Sequence, residues 1–174
     1  MQNSYRSYLS VIVIGVLLVA FYFGAMLVLV LNMQPPLLPN TNISGKTPTV
    51  KVLLYMSEMP NGKFGFGTAL DNLSSPGPTL RLSTSEIVNI TVVNTGKLPH
   101  AFAITTEPIA GAAVLFNSAI GSASNPLGPG QQGSVVFKPN NAGFSYCYMS
   151  PVSGDVEAGM YGTVTISTIT GYGS

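Results

Sequence analysis

The sequence predicts an all-β domain, a sandwich or Greek-key barrel, behind one N-terminal transmembrane helix. Three observations predict it. Leu9 to Leu31 carries no charged residue. From Thr49 onward, short runs of β character alternate with turn signals. No later segment keeps a helical period over a useful length.

The apolar run comes first. At about 1.5 Å per residue it reaches roughly 34 Å, enough to cross a bilayer with some tilt. A cleaved signal peptide is the competing reading. Its apolar core would be shorter and would end in a small-x-small site, and Met26 to Pro36 offers none. Arg6 precedes the span and no positive charge follows until Lys46, which places the short N-terminus inside and the rest outside the cell membrane. Three Asn-x-Ser/Thr sequons, at Asn42, Asn72 and Asn89, are glycosylation candidates that agree with an exterior domain. The expected organisation is an anchor over 1–33, a Pro-rich tether over 34–48, a β domain over 49–170 and a tail over 171–174.

Within the domain, Val50 to Met56 is the first strand-like run, and Asn61-Gly62 turns the chain. Phe64 to Phe66 and Thr79 to Leu82 follow. In Ile87 to Asn94, Val88, Ile90 and Val92 fall on one face and Asn89 and Thr91 on the other. His100 to Thr105, Ala112 to Asn117, Gly133 to Lys138, Phe144 to Met149 and Tyr161 to Ile169 complete the set. About eight short strands in some 125 residues describe a sandwich or barrel.

Composition narrows the function. Charged residues make up 7% of the chain against a usual quarter or so, and the net charge is +1. Nothing in that balance points to nucleic acid. With all six acids protonated and His100 charged, the net charge rises only to about +8, which suits an exterior exposed to acid. The single cysteine excludes an intrachain disulfide. No set of Ser, His and Asp with a second base, no phosphate loop and no dinucleotide fingerprint is present. Glu107 and Glu157 have no neighbour in sequence for acid–base work. The chain is therefore read without a catalytic constellation of its own.

One stretch gathers chemistry. Phe144 to Tyr148 carries Cys147, a loop rich in Ser, Pro and Gly follows, and Gly159-Met160-Tyr161-Gly162 leads into the last strand. Leu98-Pro99-His100 supplies the only histidine. A thiolate, an imidazole and a thioether are soft copper donors. The segments Pro76-Gly-Pro-Thr-Leu-Arg81, Ile87 to Gly96, Leu98-Pro-His100 and Gly154 to Val164 together resemble the cupredoxin family. The resemblance covers Val50 to Ile169. It implies a cupredoxin-like fold, with His100, Cys147 and Met160 as candidate copper ligands and Asp155 where the family usually has its second histidine. Two groups fit: the membrane-anchored subunit II of archaeal haem–copper terminal oxidases, and sulfocyanin-like mononuclear copper carriers.

The departures separate them. A dinuclear centre needs a second cysteine four residues after the first, where this chain has Pro151. A mononuclear centre needs two imidazoles, and this chain has one. The separation of Cys147 from Asp155 is also longer than in short-loop carriers. The resemblance thus implies a vestigial copper position. Haem and copper are expected in partner subunits, and the partners expected are membrane lipid, an oxidase catalytic subunit and other respiratory subunits. Three roles stay open: a subunit-II-like component of a terminal quinol oxidase, a mononuclear copper carrier, and a cell-surface binding module.

Overall fold

The computed structural model describes residues 46–168. The expected span Leu9–Leu31, most of the tether, Asn42 and the tail lie outside the described residues. Among the described residues no helix is long and apolar enough to cross a membrane.

Eight strands are described: β1 Val50–Glu58, β2 Phe64–Gly67, β3 Gly77–Ser83, β4 Val88–Asn94, β5 Ala103–Thr105, β6 Gln132–Phe137, β7 Ser145–Met149 and β8 Tyr161–Ser167. They form two four-stranded sheets, in the orders β2-β1-β4-β6 and β3-β8-β7-β5. Each is mixed, because β1 runs parallel to β4 and β3 runs parallel to β8, while the other neighbours are antiparallel.

Period-two alternation decides what each strand buries. In β4, Val88, Ile90 and Val92 are fully buried while Asn89, Thr91 and Val93 face outward. Leu80 and Leu82 of β3 and Val164 and Ile166 of β8 bury the opposing face. Between the sheets Tyr148 stacks on Phe102 and meets Phe66 edge-on, with centroids 5.7 and 5.0 Å away. Gly77 and Gly162 flank this ring.

Two expected runs behave differently. Residues 112–117 touch β5 through the single bridge Thr105–Val114, and Phe116 and Asn117 take positive φ (57° and 53°). That left-handed pair ends the pleat, although Leu115 still packs in the core. The His100 run is a strand only from Ala103. His100 and Phe102 make isolated bridges to Leu127 and Ile120 as the chain crosses from one sheet to the other.

The ends of the domain are tied to one turn. Thr49 N–H donates to Ile87 O (2.8 Å), and Ile87 N–H donates to Thr49 Oγ1 (2.9 Å). Thr84 N–H donates to Ser167 O (3.0 Å). The opposite end carries the turn 95–99 and the loop 150–160.

Candidate metal centre

The site is assembled by the ends of four strands. β4 ends on Asn94, which is fully buried. Its side-chain amide donates to Leu98 O (2.8 Å) and Leu127 O (2.9 Å), and its carbonyl accepts from Gly96 N–H (2.9 Å). One side chain thus shapes the turn that delivers His100. β1 ends on Glu58, whose carboxylate accepts from Lys97 N–H (2.9 Å) and Leu98 N–H (2.5 Å). A Cβ at Gly96 would displace the Glu58 carboxylate from this position.

His100 is fully buried. Its Nδ1 lies 2.8 Å from Asp155 Oδ2, so Nδ1 carries the proton and donates. Phe64 packs edge-on at 5.3 Å. On the far side of the ring, Nε2 lies 3.6 Å from Glu58 Oε1, with no hydrogen-bond partner among the described residues.

Asp155 is 3% exposed, deep for a carboxylate, and its partners explain why that is tolerated. Oδ2 accepts from His100 and from the Ser150 hydroxyl (2.5 Å). Ser150 Oγ in turn accepts from Ala101 N–H at 3.1 Å and Val152 N–H at 3.4 Å. The loop closes through its backbone. Met160 N–H donates to Asp155 O (2.8 Å), and Ser150 N–H donates to Met160 O (3.1 Å). The Met160 side chain is fully buried.

The structure therefore brings His100, Asp155 and the backbone of Met160 together. Cys147 stands apart. It pairs with Thr105 on β5 and Thr163 on β8, two residues before β7 ends. Tyr146 and Tyr148 point into the core, so alternation turns Cys147 to the other face of the sheet. Burial and the nearby Glu107 carboxylate push its thiol pKa up, which disfavours the thiolate a metal requires. Cys147 as a partner of His100 is corrected by this register: the side chain at the mouth of the loop is Ser150.

Two residues escaped the sequence reading. Ser150 left one signal, the long separation between Cys147 and Asp155. Glu58 left none, since its partners lie about forty residues away. Of the sequons, Asn72 sits in an exposed turn, with Oδ1 accepting from Ala69 N–H and Nδ2 donating to Thr68 Oγ1. Asn89 lies inside β4 with its Oδ1 buried.

These donors do not fit copper. A blue-copper site joins one thiolate and two imidazoles to a long axial thioether. Here the convergent groups are one imidazole, one carboxylate and one alcohol. The imidazole nitrogen facing them is already committed as a hydrogen-bond donor. The second carboxylate, Glu58, faces the opposite edge of the ring. Among the described residues no three His, Cys, Asp or Glu side chains gather around one point.

Glu58 makes the acid behaviour testable. Burial would raise its pKa, but the N–H groups of Lys97, Glu58 itself and Leu98, together with the His100 ring, hold it below the usual carboxylate range. A depressed folded pKa gives stability that is complete above the unfolded value, about 4.3, and is lost as pH falls through the folded one. The melting temperature should hold at neutral pH and fall below about pH 4. In Glu58→Gln it should be lower at neutral pH and fall less steeply in acid. An acid limb of unchanged slope in that variant would remove Glu58 from the account.

Comparison with known proteins agrees with the architecture. The family model described as multicopper oxidase matches residues 67–170. No curated protein matches the sequence. Among solved structures, a multi-copper oxidase from Pseudomonas thermotolerans is similar at 17% identity with a TM-score of 0.53, covering 71% of this chain and 31% of its own. A blue copper oxidase from Nitrosomonas europaea is similar at 18% identity with a TM-score of 0.50, covering 68% of this chain and 38% of its own. A reduced auracyanin from Roseiflexus castenholzii is similar at 15% identity with a TM-score of 0.49, covering 70% of this chain and 99% of its own. The chain thus spans about a third of the length of the oxidases. At such identities the two oxidases speak to fold alone. With more than half of its residues matched by the family model, the chain belongs to the multicopper oxidase family, and its sandwich is a cupredoxin-type copper electron-transfer fold.

Proposed function

We propose that the chain is a membrane-anchored cupredoxin component of an aerobic respiratory chain, a subunit-II-like subunit of a terminal quinol oxidase that carries no copper of its own. The observation behind this reading is the donor set around His100: Asp155 and Ser150 in place of an imidazole and a thiolate. Such a domain keeps a rigid, recognisable surface while electrons enter the complex from quinol within the membrane. Its partners would be the lipid bilayer and an oxidase catalytic subunit bearing haem and copper. Leu9–Leu31 would be its single membrane span, and the domain would lie outside the cell. The fold itself suits an independent copper carrier equally well; the donor set is what favours the subunit.

Purification from native membranes in mild detergent tests this. The full chain should elute with haem-bearing subunits, visible as haem absorption in stoichiometric amount. Elution as a coloured, copper-containing monomer would establish the carrier instead.

A further inference from the structure

We infer that Ser150, not Cys147, occupies the thiolate position of this fold, and that the Asp155 carboxylate fills the space of the metal with a proton-bonded bridge. This deepens the reading of the chain as a cupredoxin without copper, and rests on it. Three observations carry it.

The first is convergence. Asp155 Oδ2 lies 2.8 Å from His100 Nδ1 and 2.5 Å from Ser150 Oγ. An ion shared by Nδ1 and a donor on residue 150 would have to stand between them, where this oxygen now stands. The second is register. Ser150 is the first residue past β7, and its backbone N–H is tied to Met160 O across the loop (3.1 Å). Cys147 is held within the strand on the opposite face. The third is completeness. The Ser150 hydroxyl donates once and accepts twice, and the bridging oxygen accepts twice. Among the described residues His100 Nδ1, Ser150 Oγ and Asp155 Oδ2 are all paired, so the bridge ties β7, the loop and the His100 turn as a metal ion would.

It follows that two substitutions separate this chain from a copper centre. Ser150→Cys supplies a thiolate and Asp155→His supplies an imidazole. His100 loses its competing acceptor, and Met160 is already buried beside the loop.

The test is a titration of the full chain in detergent with one equivalent of Cu(II), read by visible absorption and by metal retained after desalting. The unmodified chain, Cys147→Ser and Asp155→His should each show no intense thiolate-to-copper band. Ser150→Cys combined with Asp155→His should show one, with copper retained at least about 100-fold more tightly than by the unmodified chain. Adding His100→Ala should abolish it. A band in the unmodified chain or in Asp155→His that disappears with Cys147→Ser would place the thiolate at Cys147 and overturn the inference. So would a folded Ser150→Cys/Asp155→His variant without the band. If circular dichroism shows that double variant unfolded, the unmodified chain and Asp155→His decide by the same criterion. Co-purification with haem subunits is a separate readout. Failure of the oxidase reading would leave the titration unchanged, and a copper band at Cys147 would leave the co-purification unchanged.

Discussion

Gly162→Ala should lower the stability of the domain by about 3 kcal/mol, a drop of roughly 10 °C in melting temperature. A Cβ at Gly162 would overlap the Tyr148 ring, 2.5 Å from Cε1 and closer still to Cζ and the hydroxyl oxygen. The ring has nowhere to retreat. Phe66 and Phe102 hold its faces and edge, and its hydroxyl donates to Pro78 O at 2.6 Å. The clash must therefore move β8 away from β7 or break the aromatic cluster. Tyr148→Phe keeps the ring and should cost only about 1 kcal/mol, the worth of one hydrogen bond. Tyr148→Leu combined with Gly162→Ala should cost less than the two separately, because the smaller side chain leaves room for the new methyl. Denaturant unfolding of the four variants measures this. A melting temperature for Gly162→Ala within about 2 °C of the unmodified chain would show that the ring gives way freely.

Asp155→Ala should cost about 2–5 kcal/mol, since it leaves the buried His100 Nδ1–H and the Ser150 hydroxyl without their acceptor. The damage should be local before it is global. Amide hydrogens of Val152–Met160 should exchange faster, because the loop loses the side chain that fastens it to the His100 turn. Ser150→Ala alone strands the Ala101 and Val152 N–H groups. The double variant should be milder than the sum, as expected of residues in one hydrogen-bonded network. Additive losses, with unchanged exchange in the loop, would show that the loop is held by its backbone bonds alone.

Much of the fold was legible. The alternation in Ile87–Asn94 named the buried face of β4, because a strand between two neighbours in a sheet must turn one row of side chains inward. The loop between β7 and β8 was legible too, and so was His100 as a residue near it, since the chain has one histidine and one Gly-Met-Tyr-Gly segment. The thiolate position was not. A cysteine attracts attention wherever it stands, and a serine in a loop attracts none. Only the register of β7 against β5 and β8 shows that Cys147 faces away, and only the hydrogen bonds show that Ser150 meets the Asp155 carboxylate bound to the histidine. Residues 112–117 misled for a related reason. Leu115 belongs to the core and Phe116 packs against it, but Val114 is exposed and a left-handed turn at Phe116–Asn117 keeps the backbone out of either ladder.

The turn at 84–87 receives the chain where it enters β1 and holds it where it leaves β8. A mechanical load applied to the chain before Lys46, or after Ser167, is therefore taken up at this one corner. The parallel ladder of Val50–Met56 against β4 stands between that corner and Glu58. Tension applied at Thr49 would therefore strain the corner before it reached the His100 turn and the loop 150–160.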